Sequence, residues 1–163
     1  MYQHRILRVN YTTYDVRRDQ DLVNGHSAHC NIMVLRQRTE ASHTDNVSSY
    51  RYGRVLGTYH VNVGYNGPGR PDYHELHKME FLWVRWYDEV GQLETGWAHQ
   101  RLGRLRFAPI EDGDAFGIVD PDDVLRGCHI IPRFQLNKVH AAGAGHSPLA
   151  KDASDWKEYY INR

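Results

Sequence analysis

The chain has 163 residues, 20 Lys plus Arg against 20 Asp plus Glu, 40% hydrophobic and 12% aromatic residues. That is the composition of one ordinary globular domain, and the zero net charge argues against a highly basic nucleic-acid arm. No apolar run reaches the roughly 20 residues of a membrane helix, the start lacks a signal-type apolar stretch, and two cysteines make no disulfide framework, so an intracellular, reducing setting is expected.

In chain order, residues 5–16 (RILRVNYTTYDV) combine β-branched and tyrosine content with rough alternation, which predicts a strand. A polar stretch follows, with a turn signal at Asn24-Gly25. Residues 30–35 (CNIMVL) form a short apolar run that predicts a buried strand. Residues 39–49 are loop by composition.

Residues 50–63 (YRYGRVLGTYHVNV) predict a long strand, in which Gly53 and Gly57 suggest bulges or close backbone approach. Residues 64–72 (GYNGPGRPD) are a loop. Residues 79–87 (MEFLWVRWY) are the strongest strand signal. Phe81, Trp83, Arg85 and Tyr87 share one face and Leu82, Val84 and Trp86 the other, so both faces should be covered. Residues 97–107 are ambiguous between strand and a helical turn leading into strand.

One short helix is expected after Asp120. Asp120 is an N-cap, Pro121 stands at N1, Asp122 and Asp123 load the first turn, and Gly127 is a C-terminal stop. Residues 128–131 then read as a strand. Residues 135–154, with HAAGAGHSPLAKDAS, have the composition of a flexible loop or linker. Residues 155–163 regain aromatics and are expected to dock on the body.

The expectation is a mainly β fold: a small distorted barrel of SH3 or BAH type spanning residues 1–134, with long loops and one or two short helices. A sandwich is the alternative.

Arginine outnumbers lysine by 16 to 4. Guanidinium groups suit phosphate, carboxylate and aromatic partners. Arg85, Arg101, Arg104 and Arg106 are therefore candidates for anion contacts, with Arg51 and Arg54 on a neighbouring strand. Trp83, Trp86 and Tyr87 are candidates for stacking or for a cation cage. The competing reading makes the tryptophans core residues and pairs the arginines with acidic side chains.

Metal-ligand signals are weaker. His26, His29 and Cys30, with His43 as a conceivable fourth, and the pair His74 and His77 have close spacing, but HELH lacks the i, i+4 histidines of HExxH. Glu111, Asp112, Asp114, Asp120, Asp122 and Asp123 are explained by a turn and a helix cap. No P-loop, GxGxxG or GxSxG occurs, so no cofactor is implied.

The segments YRYGRVLGTYHVNV, MEFLWVRWY, RLGRLRFAP, FGIVDPDDVLRGCHIIPRF and DWKEYYINR together resemble a domain of mushroom-forming fungi. It lies at the C-terminal end of large proteins encoded by Plavaka and KDZ-type DNA transposons, or stands as a short separate reading frame. VNYTTYDVRRDQD and CNIMVL fit the same pattern, and DPDDVLRG-HxIP is its most specific block. Such relatives continue past the position of Arg163, and residues 64–77 are variable among them, so HELH gains no support. The order of elements is also faintly similar to a bromo-adjacent homology (BAH) domain. These resemblances imply a non-catalytic binding module, nuclear, whose partner is a chromatin protein or DNA or RNA, alongside other domains of a transposon-encoded protein. The rival reading is a metal-dependent hydrolase or nuclease using clustered histidines and carboxylates.

Overall fold

A computed structural model describes residues 1–36, 49–64, 76–91 and 102–162. The fold is mainly β. Its strands are β1 (Tyr2–His4), β2 (Leu7–Thr12), β3 (Arg18–Val23), β4 (Asn31–Leu35), β5 (Tyr50–Val63), β6 (His77–Glu89), β7 (Gly103–Phe107), β8 (Phe116–Val119), β9 (Val124–Gly127), β10 (His129–Pro132) and β11 (Tyr159–Asn162).

Nine strands form one sheet in the order β10-β11-β7-β6-β5-β4-β9, with β1 continuing the β5 edge and β8 the β6 edge, while β2 and β3 make a separate hairpin. Every pairing is antiparallel.

The long strands β5 and β6 are the spine, paired from Tyr52↔Tyr87 to Val63↔His77. The register slips between Val55 and Gly57, where the sequence suggested a bulge. Gly53 meets its own expectation: a Cβ there would strike the Trp86 ring and the Val84 side chain.

Strand β6 changes partner along its far edge. Leu82 to Arg85 pair with β8, and Tyr87 to Glu89 pair with β7. Between them the Trp86 N–H donates to the Ala115 carbonyl at 2.9 Å and the Ala108 N–H to the Trp86 carbonyl at 3.1 Å. From Leu82 to Tyr87 the strand is central and largely covered on both faces, as its two apolar rows required, while His77–Glu80 are exposed.

The small distorted barrel expected from the sequence is mainly β as expected but does not close. Among the described residues β9 and β10 stand at the two ends of the sheet order, with no ladder between them. Only Cys128 separates these two strands, and a hairpin needs at least about two loop residues. The chain therefore passes straight through: the Cys128 N–H donates to the Asn31 carbonyl at 3.0 Å, and β10 goes on to pair with β11.

The expected helix is also shortened. Asp120 does cap, accepting the Asp122 N–H at 3.0 Å, but only Pro121–Asp123 coils, as a single 3-10 turn. Val124–Gly127 is strand β9, held against β4.

Strand β3 gives little signal because only Val23 on it is buried, Leu22 is exposed and the other four residues are polar. Its Asp21 Oδ2 accepts from Arg126 Nε at 3.0 Å and from the Gly127 N–H at 2.9 Å, latching the hairpin to β9.

The strand alternation sorts two cores. One holds Val9, Val23, Ile32, Val55, Leu82, Val84 and Trp86 beneath the hairpin. The other holds Tyr52, Tyr87, Leu105, Tyr159 and Ile161, with Phe107, Ile130 and Trp156 packed around it. Burying each large apolar side chain contributes roughly 1.5–3 kcal/mol before entropy.

Candidate functional site

Arg85 lies on the Tyr87 face of β6, so it points into the second core rather than to water. It is 5% exposed, and its Nη1 donates to Asp155 Oδ2 at 2.5 Å. Arg54, on the same face of β5, donates to the other oxygen of that carboxylate at 2.7 Å. Both guanidinium carbons sit over the Phe107 ring, 4.3 Å (Arg54) and 4.0 Å (Arg85) from its centroid. Two cations, Arg85 buried and Arg54 half-buried, thus share one buried anion and one aromatic face.

Burial opposes the Arg54 charge, but the Tyr87 oxygen and the Asp155 carboxylate outweigh it, and the guanidinium is held above its ordinary value. Arg54 stays charged.

Residues 135–154, whose composition suggests a linker, deliver the other side of the site. Lys138 pairs with Trp156 in an isolated bridge, and the Val139 N–H donates to the Asp155 carbonyl at 2.9 Å. Lys151 reaches across to the β3–β4 turn and to β5, donating to the Gly25 carbonyl at 2.7 Å and the Leu56 carbonyl at 3.1 Å. The turn it holds is the one signalled by Asn24-Gly25, with Asn24 Oδ1 accepting the His26 N–H at 2.9 Å.

A cleft of about 630 Å³ opens between this turn and residues 138–156. Its floor is apolar and aromatic, from Tyr87, Ile130, Tyr159 and Trp156. Arg54, Lys138 and Lys151 line it, and no Asp or Glu stands among its described lining residues. The volume falls within the range of about 300–1,000 Å³ typical of ligand sites. Deep in the cleft the Tyr87 hydroxyl donates to Asn31 Oδ1 at 3.1 Å, and burial pushes that hydroxyl well above its ordinary pKa.

Cys30 also lines the cleft. Burial raises its pKa, with Arg54 working the other way, and burial first of all drives Cys128 up to about 12. Both thiols are protonated at neutral pH, which removes the nucleophilic form.

The other candidates scatter. Trp86 lies in the first core with the Arg51 guanidinium 4.2 Å above its ring, on the sheet face opposite Tyr87. Trp83 is half-buried and stacks on Phe116 at 5.6 Å. Trp83, Trp86 and Tyr87 therefore do not meet in one cage. Arg104 faces Glu158 at 3.6 Å, and Arg106 is exposed on β7. Arg101, His74 and His43 lie outside the described residues.

His26 and His29 are exposed on the β3–β4 turn, Cys30 is half-buried and His77 is exposed at the start of β6. Among the described residues, the donors brought within 4.8 Å of one another are His140, His146 and Asp152 instead. Sequence reading missed these three, and missed Arg54, Lys138, Lys151 and Asp155 as one site. The available signal was the position of Arg54 two residues from Tyr52, on the buried face of β5.

No family model matches the chain, and neither the curated proteins nor the solved structures compared with it yield a match.

Proposed function

We propose that this chain is a non-catalytic binding module whose cleft grips an acidic segment of a partner protein. The observation that carries the reading is the lining itself: Lys138 and Lys151, beside an Arg54 already held by Asp155, stand over an aromatic floor with no carboxylate among the described lining residues. A desolvated cation beside an apolar floor favours a carboxylate-bearing ligand that also buries apolar surface, which is the chemistry of an acidic peptide.

A nucleic-acid partner is less well supported. Arg54 and Arg85 share Asp155, Arg104 and Arg133 share Glu158, Arg126 holds Asp21 and Arg51 faces Asp114. Among the described residues these six arginines are thus matched by carboxylates, which weakens their pull on a phosphate backbone. A chromatin protein with an acidic stretch is the partner class that this reading shares with the transposon-encoded and BAH-like resemblance, and a nuclear setting goes with it.

Fluorescence anisotropy with labelled peptides tests the proposal. A short Asp/Glu peptide containing one tyrosine should bind, and an uncharged peptide of equal length should not. Lys138 is exposed, so Lys138→Glu leaves the fold intact and should weaken binding about tenfold, or ~1.4 kcal/mol. Preference for single-stranded DNA over the acidic peptide, or equal affinity in Lys138→Glu, contradicts it.

A further inference from the structure

His140 and His146 are separated by five residues, and so are His146 and Asp152. The chain brings all three together by turning twice. The Gly143 N–H donates to the His140 carbonyl at 3.1 Å, and Gly143 itself takes a φ of 73°, which a glycine adopts at no steric cost. The Ala150 N–H closes a second turn on the Ser147 carbonyl at 3.1 Å. The two imidazole rings end 5.0 Å apart at 69°.

The Asp152 carboxylate is 2% exposed and fixed by the backbone. Its Oδ2 accepts the His146 N–H at 2.6 Å and its Oδ1 the Ser147 N–H at 3.1 Å. His146 Nδ1 lies 3.2 Å and His140 Nε2 lies 3.4 Å from Asp152 Oδ2. A tetrahedral zinc with bonds of ~2.0–2.1 Å has ligand-to-ligand edges of about 3.3 Å. Two of the three edges therefore already have the length that coordination requires. The third, between the two ring nitrogens, is within 4.8 Å.

We propose that His140 Nε2, His146 Nδ1 and Asp152 Oδ2 form a binding site for a divalent cation of the zinc class. Two imidazoles and one carboxylate are the donors such an ion takes, and the backbone donors to Asp152 supply the outer support that fixes a ligating carboxylate. The His146 side chain is 59% exposed, so the fourth coordination position opens to solvent. The ion would clamp the segment that presents Lys138 and Lys151 to the cleft. The site stands on its own geometry and does not depend on what the cleft binds.

Calorimetric titration of tag-free, chelator-treated protein with zinc sulfate tests the site, alongside cobalt(II) absorption as a report of tetrahedral geometry. The expected result is one ion per chain, with binding weakened at least about tenfold in His146→Ala and in His140→Ala. The double variant His26→Ala/His29→Ala should bind as the parent does. Because His146 is largely exposed, His146→Ala retains the fold, and circular dichroism checks this. Absence of one-to-one binding, binding unchanged in both His140→Ala and His146→Ala, or loss of binding in the His26/His29 double variant instead, would each overturn the assignment.

Discussion

The Arg85 guanidinium donates to the Asp155 carboxylate across 70 residues of chain, and both groups are buried. The same carboxylate takes Arg54 from the neighbouring strand. This one aspartate therefore joins β5, β6 and the segment entering β11. Removing one partner of a buried pair strands charge in a low-dielectric core and costs ~3–5 kcal/mol. We predict that Asp155→Ala loses about that much, a large share of a typical stability of ~5–15 kcal/mol. Arg104→Ala should lose under ~1 kcal/mol, since its contact with Glu158 is 3.6 Å and part-exposed. Urea midpoints compare the two, and equal losses would contradict the distinction.

The face that carries Arg85 was legible in the sequence. Period-two spacing put it beside Phe81, Trp83 and Tyr87, and the structure keeps that row. Its partner was not legible, because an ion pair between residues 85 and 155 leaves no periodic trace. For the same reason His140, His146 and Asp152 stayed hidden: they sit in a stretch of small residues that resembles a linker, while closer HxxH spacings drew attention. Strand β3 escaped because a hairpin resting on a sheet needs few buried residues, and Val23 is the one it buries. The run from β9 straight into β10 turned on Cys128 being the sole residue between them, a length that single-strand patterns do not weigh.

The packing around Trp86 yields a second prediction. A Cβ at Gly117 would collide with the indole nitrogen, whereas one at Gly113 meets open space. Gly117→Ala should therefore cost about 1–3 kcal/mol by overpacking. Gly113→Ala should be near neutral. Thermal unfolding of the pair, followed by circular dichroism, checks this.

The thiols set an alkaline limit. Cys128 holds its proton up to about pH 12 in the fold, whereas an unfolded cysteine loses it near ~8.5. Between those values the unfolded state binds fewer protons than the native one, so stability falls as pH rises. Cys30 and Tyr87, also raised by burial, add to the same trend. We predict a urea midpoint that declines from about pH 9 upward, with a shallower decline in Cys128→Ala. A flat profile would show that the thiols ionise freely in the fold.

Asp21 should govern the hairpin. Its Oδ2 receives both Arg126 and the Gly127 N–H, so Asp21→Ala removes the polar latch between the hairpin and β9. A loss of about 1–2 kcal/mol is expected. Hydrogen exchange should quicken first in β2 and β3, and uniform quickening over the whole sheet would contradict a local role.

The proposed binding surface is the cleft lined by Arg54, Lys138 and Lys151. Amide chemical-shift mapping during titration with the Asp/Glu peptide tests it most directly. Shifts concentrated at Gly25 to Asn31, Arg54, Lys138 and Trp156 are expected. Shifts confined to the Arg104, Arg106 and Tyr160 face, or none at saturating peptide, would contradict it.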